Sequence, residues 1–255
     1  MKAVILAAGL GSRIRGATHG APKSLLRFGG RAILDCQLAS LARAGVREIG
    51  LVVGYRADEI KRAVETNPVR DQVDISFIEN ERYASTNNMF SLAIAQHWLD
   101  GEAFICLNAD VLCHPGLPAL LLDPGDDGLV LVDPEYREET AKVLIRGGVV
   151  VGLGKRIPRG QASGTFVNIA SFSAVFARAL FEESRRQFAR NRYDQFFNDV
   201  LNDVISGGAT LRPVDSGGLP WAEIDDENDL RYARETVAPA VLRSLFNQEE
   251  LEVVA

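Results

Sequence analysis

Along the chain, short runs that are apolar throughout alternate with longer stretches whose apolar residues recur every three or four positions. The segment KAVILAA reads as a strand buried on both faces. RAILDCQLASLARAG places Ile33, Leu34, Leu38, Leu41 and Ala42 on one helical face, and Gly45 ends it in the left-handed position that follows a helix. REIGLVVG is a second buried strand, ADEIKRAVE a helix, and VDISFIEN a third strand with an alternating pattern. STNNMFSLAIAQHWL predicts a helix with Ser85 or Thr86 as its N-cap, and AFICLNAD a fourth, continuously apolar strand. Such a rhythm predicts an α/β fold of the Rossmann-like, three-layer α/β/α kind, with a largely parallel sheet covered on both faces. Ligands in these folds bind at the carboxyl ends of the strands, where the Gly9–Arg13 loop and Asp110 both fall.

The second half is less regular. DGLVLVDP, KVLIRGGVVVGLGK and FVNIASFS read as strands, with glycines 147–148 forming a hairpin turn. SAVFARALFEESRRQF and YDQFFNDVLNDVISGG read as helices. TLRPVDSGGLPWAEID is extended and ends in a strand, and a helix over 226–236 follows with Asp226 as N-cap and Asp229 three residues on. No linker or internal repeat divides the chain. The expected organisation is one domain over 1–236, with 1–112 the nucleotide-binding half and 113–236 the acceptor-binding half. A peripheral helix and loose end occupy 237–255.

Composition narrows the class. A length of 255 residues, 47% hydrophobic and 24% charged, is that of an ordinary globular chain. The net charge of −6 argues against a nucleic-acid binder working through a broad basic field. Cys36, Cys106 and Cys113 lack C-x-x-C spacing and suit a reducing, cytoplasmic setting. The AVILAA run is cut off by glycines, so no signal peptide is expected, and no apolar run is long enough for a membrane span. His19, His97 and His114 lack metal-ligand spacing and receive no role.

The opening LAAGLGSR carries the chemistry. It lacks the last glycine of G-x-G-x-x-G and the Gly-Lys-Ser/Thr of a Walker loop. What remains is a glycine-rich turn that lets main-chain N–H groups face an anion. Arg13 adds a planar charged fork and Lys23, behind Pro22, a point charge. The competing interpretation is a strand-to-helix turn with a solvated arginine. Asp110 ends a buried strand, where it can face a crevice or bond turn amides, and Asp225 can face the same crevice or cap the following helix.

LAAGLGSR with Pro22-Lys23, then Asn108-Ala-Asp110-Val, then Trp221-Ala-Glu-Ile-Asp225, resembles the nucleotidyltransferases that couple NTPs to phosphomonoesters. Ser85-Thr-Asn87-Asn88-Met-Phe-Ser-Leu and Gly152-Leu-Gly154-Lys155 are similar to segments of the choline-phosphate cytidylyltransferase-like branch. The resemblance covers about residues 1–235 and implies the nucleotide-diphospho-sugar transferase type of fold, with a mostly parallel mixed sheet. It implies Mg²⁺ on Asp110 and Asp225. It also implies Arg13, Lys23 and Lys155 as the cations that hold the phosphates during in-line attack. Leu6, Ala7, Ala8, Gly9, Gly11 and Ser12, with Tyr83, Ser85, Asn87, Asn88 and Asn108, would surround the nucleotide, for which CTP is preferred on resemblance alone. Asn87 and Asn88 can instead form an Asx-type turn.

The acceptor side departs from the family. Thr165 stands where a glutamate is frequent, Asn168 where glycine is, and Phe196-Phe197-Asn198-Asp199 where Tyr-Tyr-Glu-Asp is usual. With fewer carboxylates and phenols, attraction for a quaternary ammonium weakens. Lys155, Thr165, Asn168, Phe197 and Asp199 are the expected acceptor contacts. The acceptor is a small phosphomonoester or phosphonate of the phosphocholine kind, and the product a CDP-activated head group for a surface polysaccharide or lipid. Sugar-1-phosphate nucleotidylyl transfer and a metal-dependent glycosyltransferase are the alternatives. The apolar tail residues Val237, Val241, Leu242, Leu245 and Phe246 can pack on their own domain or on a second copy in a homodimer.

Overall fold

The computed structural model describes residues 1–14 and 16–246. In chain order the first half contains β1 (Lys2–Ala7), a small hairpin of β2 (Arg27–Phe28) and β3 (Arg31–Ala32), α1 (Ile33–Arg43), β4 (Glu48–Val53), α2 (Ala57–Glu65) and β5 (Asp74–Glu79). It continues with α3 (Asn88–Ile94), α4 (Gln96–Leu99), β6 (Phe104–Asn108), β7 (Val111–Cys113) and α5 (Gly116–Ala119). The second half supplies β8 (Gly128–Asp133), β9 (Lys142–Arg146), β10 (Val149–Gly154), β11 (Gly164–Phe172), α6 (Ala174–Ala189) and α7 (Phe197–Ser206). Last come β12 (Leu211–Asp215), β13 (Trp221–Glu223), α8 (Glu227–Tyr232) and α9 (Ala238–Leu245).

Strands β5, β4, β1 and β6 lie side by side and parallel, because each is followed by a crossover that returns the chain to the same edge. β11 runs antiparallel to β6 and to β8, and β12 is parallel to β8. The β9–β10 hairpin hangs from the start of β11, at Gly164 and Thr165. This is the mostly parallel mixed sheet expected. Its two-sided burial follows from the pleat. Val4 and Leu6 face one core with Phe104, Phe172 and Leu180, while Ala3, Ile5 and Ala7 face another with Leu34, Leu38 and Ile60. Complete burial of a side chain such as Ile5 contributes about 1.5–3 kcal/mol. No helix among the described residues is long and apolar enough to cross a membrane.

Local boundaries differ from expectation in three places. The helix after β5 starts at Asn88 and not at Ser85 or Thr86, since both hydroxyls donate back to the Arg82 carbonyl and Asn87 takes the N-cap. The helix expected from Tyr193 starts at Phe197, because Tyr193 stacks on Phe188 and packs edge-on against Phe90. The helix over 226–236 is capped by Asp226 as read, but passes through a π-helical turn, Ala233–Val237, directly into α9. Val237, Val241, Leu242 and Phe246 are buried in a third core with Ile33 and Cys36 of α1, so this part of the tail packs on its own chain. The loose end expected beyond it, 247–255, lies outside the described residues.

Candidate active site

Three strand ends meet at one edge of the sheet. β1 runs into the glycine loop, where Gly11 adopts φ +58° and a Cβ would sit 3.0 Å from Lys23 Cγ. Glycine is therefore required twice over, for the left-handed turn and for the approach of Lys23. β6 ends in the turn that carries Asp110. That turn is pinned from below by Gln37 of α1, whose Nε2 donates to the carbonyls of Asn108 (2.8 Å) and Val111 (2.9 Å).

Asp225 arrives from the far part of the sequence. β13 pairs antiparallel with β7, with Glu223 opposite Val111, and the Ile224 N–H donates to the Asp110 carbonyl (3.0 Å). Asp229 then accepts from the N–H groups of Asp225 (2.9 Å) and Asp226 (3.0 Å). The two aspartates thus have separate duties: Asp226 caps the helix and leaves the Asp225 carboxylate to the cleft.

Lys23 Nζ lies 2.7 Å from Asp225 Oδ1 and 3.2 Å from Asp110 Oδ2. Arg13 Nη2 lies 2.7 Å and Lys155 Nζ 3.7 Å from Asp225 Oδ2. Burial opposes the charge on Lys23, but Asp110 and Asp225 outweigh it and hold the ammonium above its ordinary pKa. Burial likewise opposes the charge on Asp225, and the surrounding cations overcome it and lower its carboxyl.

Sequence reasoning missed Glu223. One carboxylate oxygen each from Asp110, Glu223 and Asp225 lie within 4.8 Å of one another. Lost hydration first, then the charges of Asp110 and Asp225, push the Glu223 carboxyl up to about 8 against the pull of Lys155 and Lys23. The signal was available, since residues two apart on a strand share a face. The donor set fits a hard divalent cation: it is all oxygen, and Asp110 Oδ1 is buried without a protein partner.

The cleft over this edge encloses about 320 Å³. Of the expected residues, Leu6, Ala7, Ala8, Gly9, Gly11, Ser12, Arg13, Lys23, Tyr83, Asn87, Asn88, Asn108, Asp110, Lys155, Asn168 and Asp225 line it together. Gly54 keeps Tyr83 in place, because a Cβ there would come within 2.7 Å of Tyr83 Cβ. Four expected residues are used elsewhere. The Ser85 hydroxyl bonds back within its turn. Thr165 is buried, with its hydroxyl donating to the Glu135 carbonyl (2.6 Å) and accepting from Arg137 N–H (3.0 Å). Phe197 is a core residue against Phe172, and Asp199 accepts from the Phe196 N–H at the start of α7. In their stead Phe196 and Asn198 line the cleft, as do Ser24, Thr86, Ser91, Ala109 and Ala141.

Anion loop, converging cations and carboxylates at the carboxyl edge of a parallel sheet define a nucleotide-handling α/β transferase. The family profile described as the MobA-like NTP transferase domain matches residues 3–189, and the chain belongs to that family. It is 30% identical over 246 residues to a CMP-5'-(3-aminopropyl)phosphonate synthase of Streptomyces rubellomurinus, covering 91% of this chain. The match spans only 38% of that relative's length. It is 23% identical over 253 residues to a CTP:phosphoglutamine cytidylyltransferase of Campylobacter jejuni, covering 90% of this chain and 98% of the relative. The inositol-1-phosphate CTP transferase of T. maritima shares the fold, with a TM-score of 0.79 at 23% identity over 96% of this chain and 98% of that one.

Proposed function

We propose that this chain transfers a cytidylyl group from CTP to a small phosphomonoester or phosphonate and releases pyrophosphate. The carrying observation is the meeting of Asp110, Glu223 and Asp225 with Lys23 and Arg13 beside the glycine loop. The choice of CTP rests on the relatives, which are named for CTP or CMP. In this reading residues 1–112 supply the nucleotide side and 113–236 the acceptor side.

An acceptor oxygen attacks the α-phosphorus, a P–O bond forms, and the bond to the bridging oxygen breaks with its electron pair leaving on pyrophosphate. The acceptor oxygen is anionic near neutral pH, so no general base is needed. Catalysis is positioning and charge neutralisation. Arg13, whose side chain is 58% exposed, can swing from Asp225 to the β- and γ-phosphates. Lys23 is held at the α-phosphate side by its two carboxylates. Lys155, 49% exposed at the end of β10, holds the acceptor's phosphate. Asp110 and Asp225, with Glu223 beside them, would hold Mg²⁺, which when bound neutralises phosphate charge. A cytoplasmic setting suits the three buried, unpaired cysteines.

The test is pyrophosphate release across the four NTPs with a panel of phosphomonoesters and phosphonates. Arg13→Ala and Asp110→Asn are expected to lower the rate about a hundredfold or more. Rates within about tenfold of wild type in both variants would overturn the proposal.

A further inference from the structure

Asn168 sits in the middle of β11 with φ +61°, a left-handed conformation inside a strand. The pairing of β11 with β8 shifts register between Phe166 and Ala170, so the chain bulges at this residue. Strain of this kind is concentrated at functional sites, and asparagine is among the few residues that tolerate it. Asn168 is 9% exposed, lines the cleft, and its side-chain amide makes no hydrogen bond with any described residue. An amide so enclosed is costly unless a partner arrives.

Its place along the sheet edge says which partner. The order β1, β6, β11 puts the glycine loop, the Asp110 turn and Asn168 in succession. Asn168 lies one residue beyond the Ile169–Leu107 pairing, beside the end of β6. It is thus across the carboxylates from the nucleotide loop. The cleft wall at the start of α7 presents Asn198 and the 56% exposed Phe196. One exposed phenyl ring and two amides make a poor cage for a quaternary ammonium, which wants several aromatic faces. They suit a neutral group that both donates and accepts.

We propose that Asn168 is a specificity-determining residue that hydrogen-bonds the acceptor's head, selecting hydroxyl- or carboxamide-bearing phosphates and phosphonates over phosphocholine. This inference rests on the cytidylyl-transfer reading for the acceptor's phosphate but is tested by binding as well as turnover.

Dissociation constants are measured by ligand-observed NMR for glycerol 3-phosphate, phosphoglycolamide and phosphocholine, with Mg²⁺ and CTP-site ligand CDP present. Wild type is expected to bind at least one of the first two about tenfold tighter than phosphocholine. Asn168→Gly keeps the left-handed backbone without strain and removes the amide. It is expected to weaken that ligand about five- to hundredfold, with phosphocholine and CDP changed less than about twofold. Asn168→Ala shows the same loss plus a lower melting temperature, since alanine resists φ +61°. Unchanged selectivity in Asn168→Gly, or wild-type preference for phosphocholine, overturns the inference. Binding with the expected selectivity but no pyrophosphate release with any NTP sinks the functional reading alone. Binding of none of the three sinks the inference.

Discussion

Replacing Glu223 with glutamine tests the electrostatics of the carboxylate trio directly. Glutamine keeps the shape of the protonated acid and cannot ionise. In the protein without divalent cation the Glu223 carboxyl is pushed from 4.5 up to about 8. The folded state therefore binds this proton more tightly than the unfolded chain does, and stability falls as pH rises through that window and levels off above it. Each pH unit is worth about 1.4 kcal/mol, which gives about 3 kcal/mol of lost stability near pH 7 and about 5 kcal/mol above pH 8. Glu223 keeps part of its surface in the cleft, and water there reduces the effect to about 1–3 kcal/mol at pH 7. The assay is urea unfolding of wild type and Glu223→Gln in EDTA from pH 5 to pH 9. The variant is expected to be the more stable, by a margin that widens with pH and shrinks when Mg²⁺ or Mn²⁺ is added. Unfolding curves that stay a constant distance apart across that range would refute the reasoning.

Two further outcomes concern the scaffold around the trio. Gln37→Leu removes both donors that pin the Asp110 turn. Steady-state kinetics are expected to show kcat down about tenfold with KM for CTP little changed, and denaturation a loss of about 1–3 kcal/mol. Asp226→Ala removes the acceptor for the N–H groups of Asn228 and Asp229. It is expected to cost about 1 kcal/mol, seen as a lower urea midpoint at unchanged m-value.

Much of the sheet could be read from the sequence because its central strands are buried on both faces and so are continuous apolar runs, as in β1 and β6. The N-terminal cradle was legible because glycines, Arg13 and Lys23 have few other reasons to follow such a strand. Motif correspondence worked less well on the acceptor side, since it fixes position along the chain but not direction. Phe197 and Asp199 were expected in the cleft, whereas Phe196 and Asn198 line it. One residue at a helix start rotates a side chain by about 100°, enough to move it from cleft to core. Thr165 fails for a similar reason: its hydroxyl serves the 135–137 turn beside the strand. Glu223 was hidden by attention to the acid that ends the strand, although the strand's own period places it on the same side. Ser85 illustrates competition between a cap and a turn, which propensity alone cannot rank.

The ribbon of β7 and β13 is only three residues wide, yet it is what carries Glu223 and Asp225 to Asp110. A chain emerging from the ribosome can assemble its phosphate cradle and most of its sheet long before the last two acids have been synthesised. Until that ribbon zips, the growing chain can cradle triphosphate but lacks two of its three acids. Proteolytic clipping ahead of Trp221 would leave the enzyme in that same inert condition, folded in large part and chemically silent.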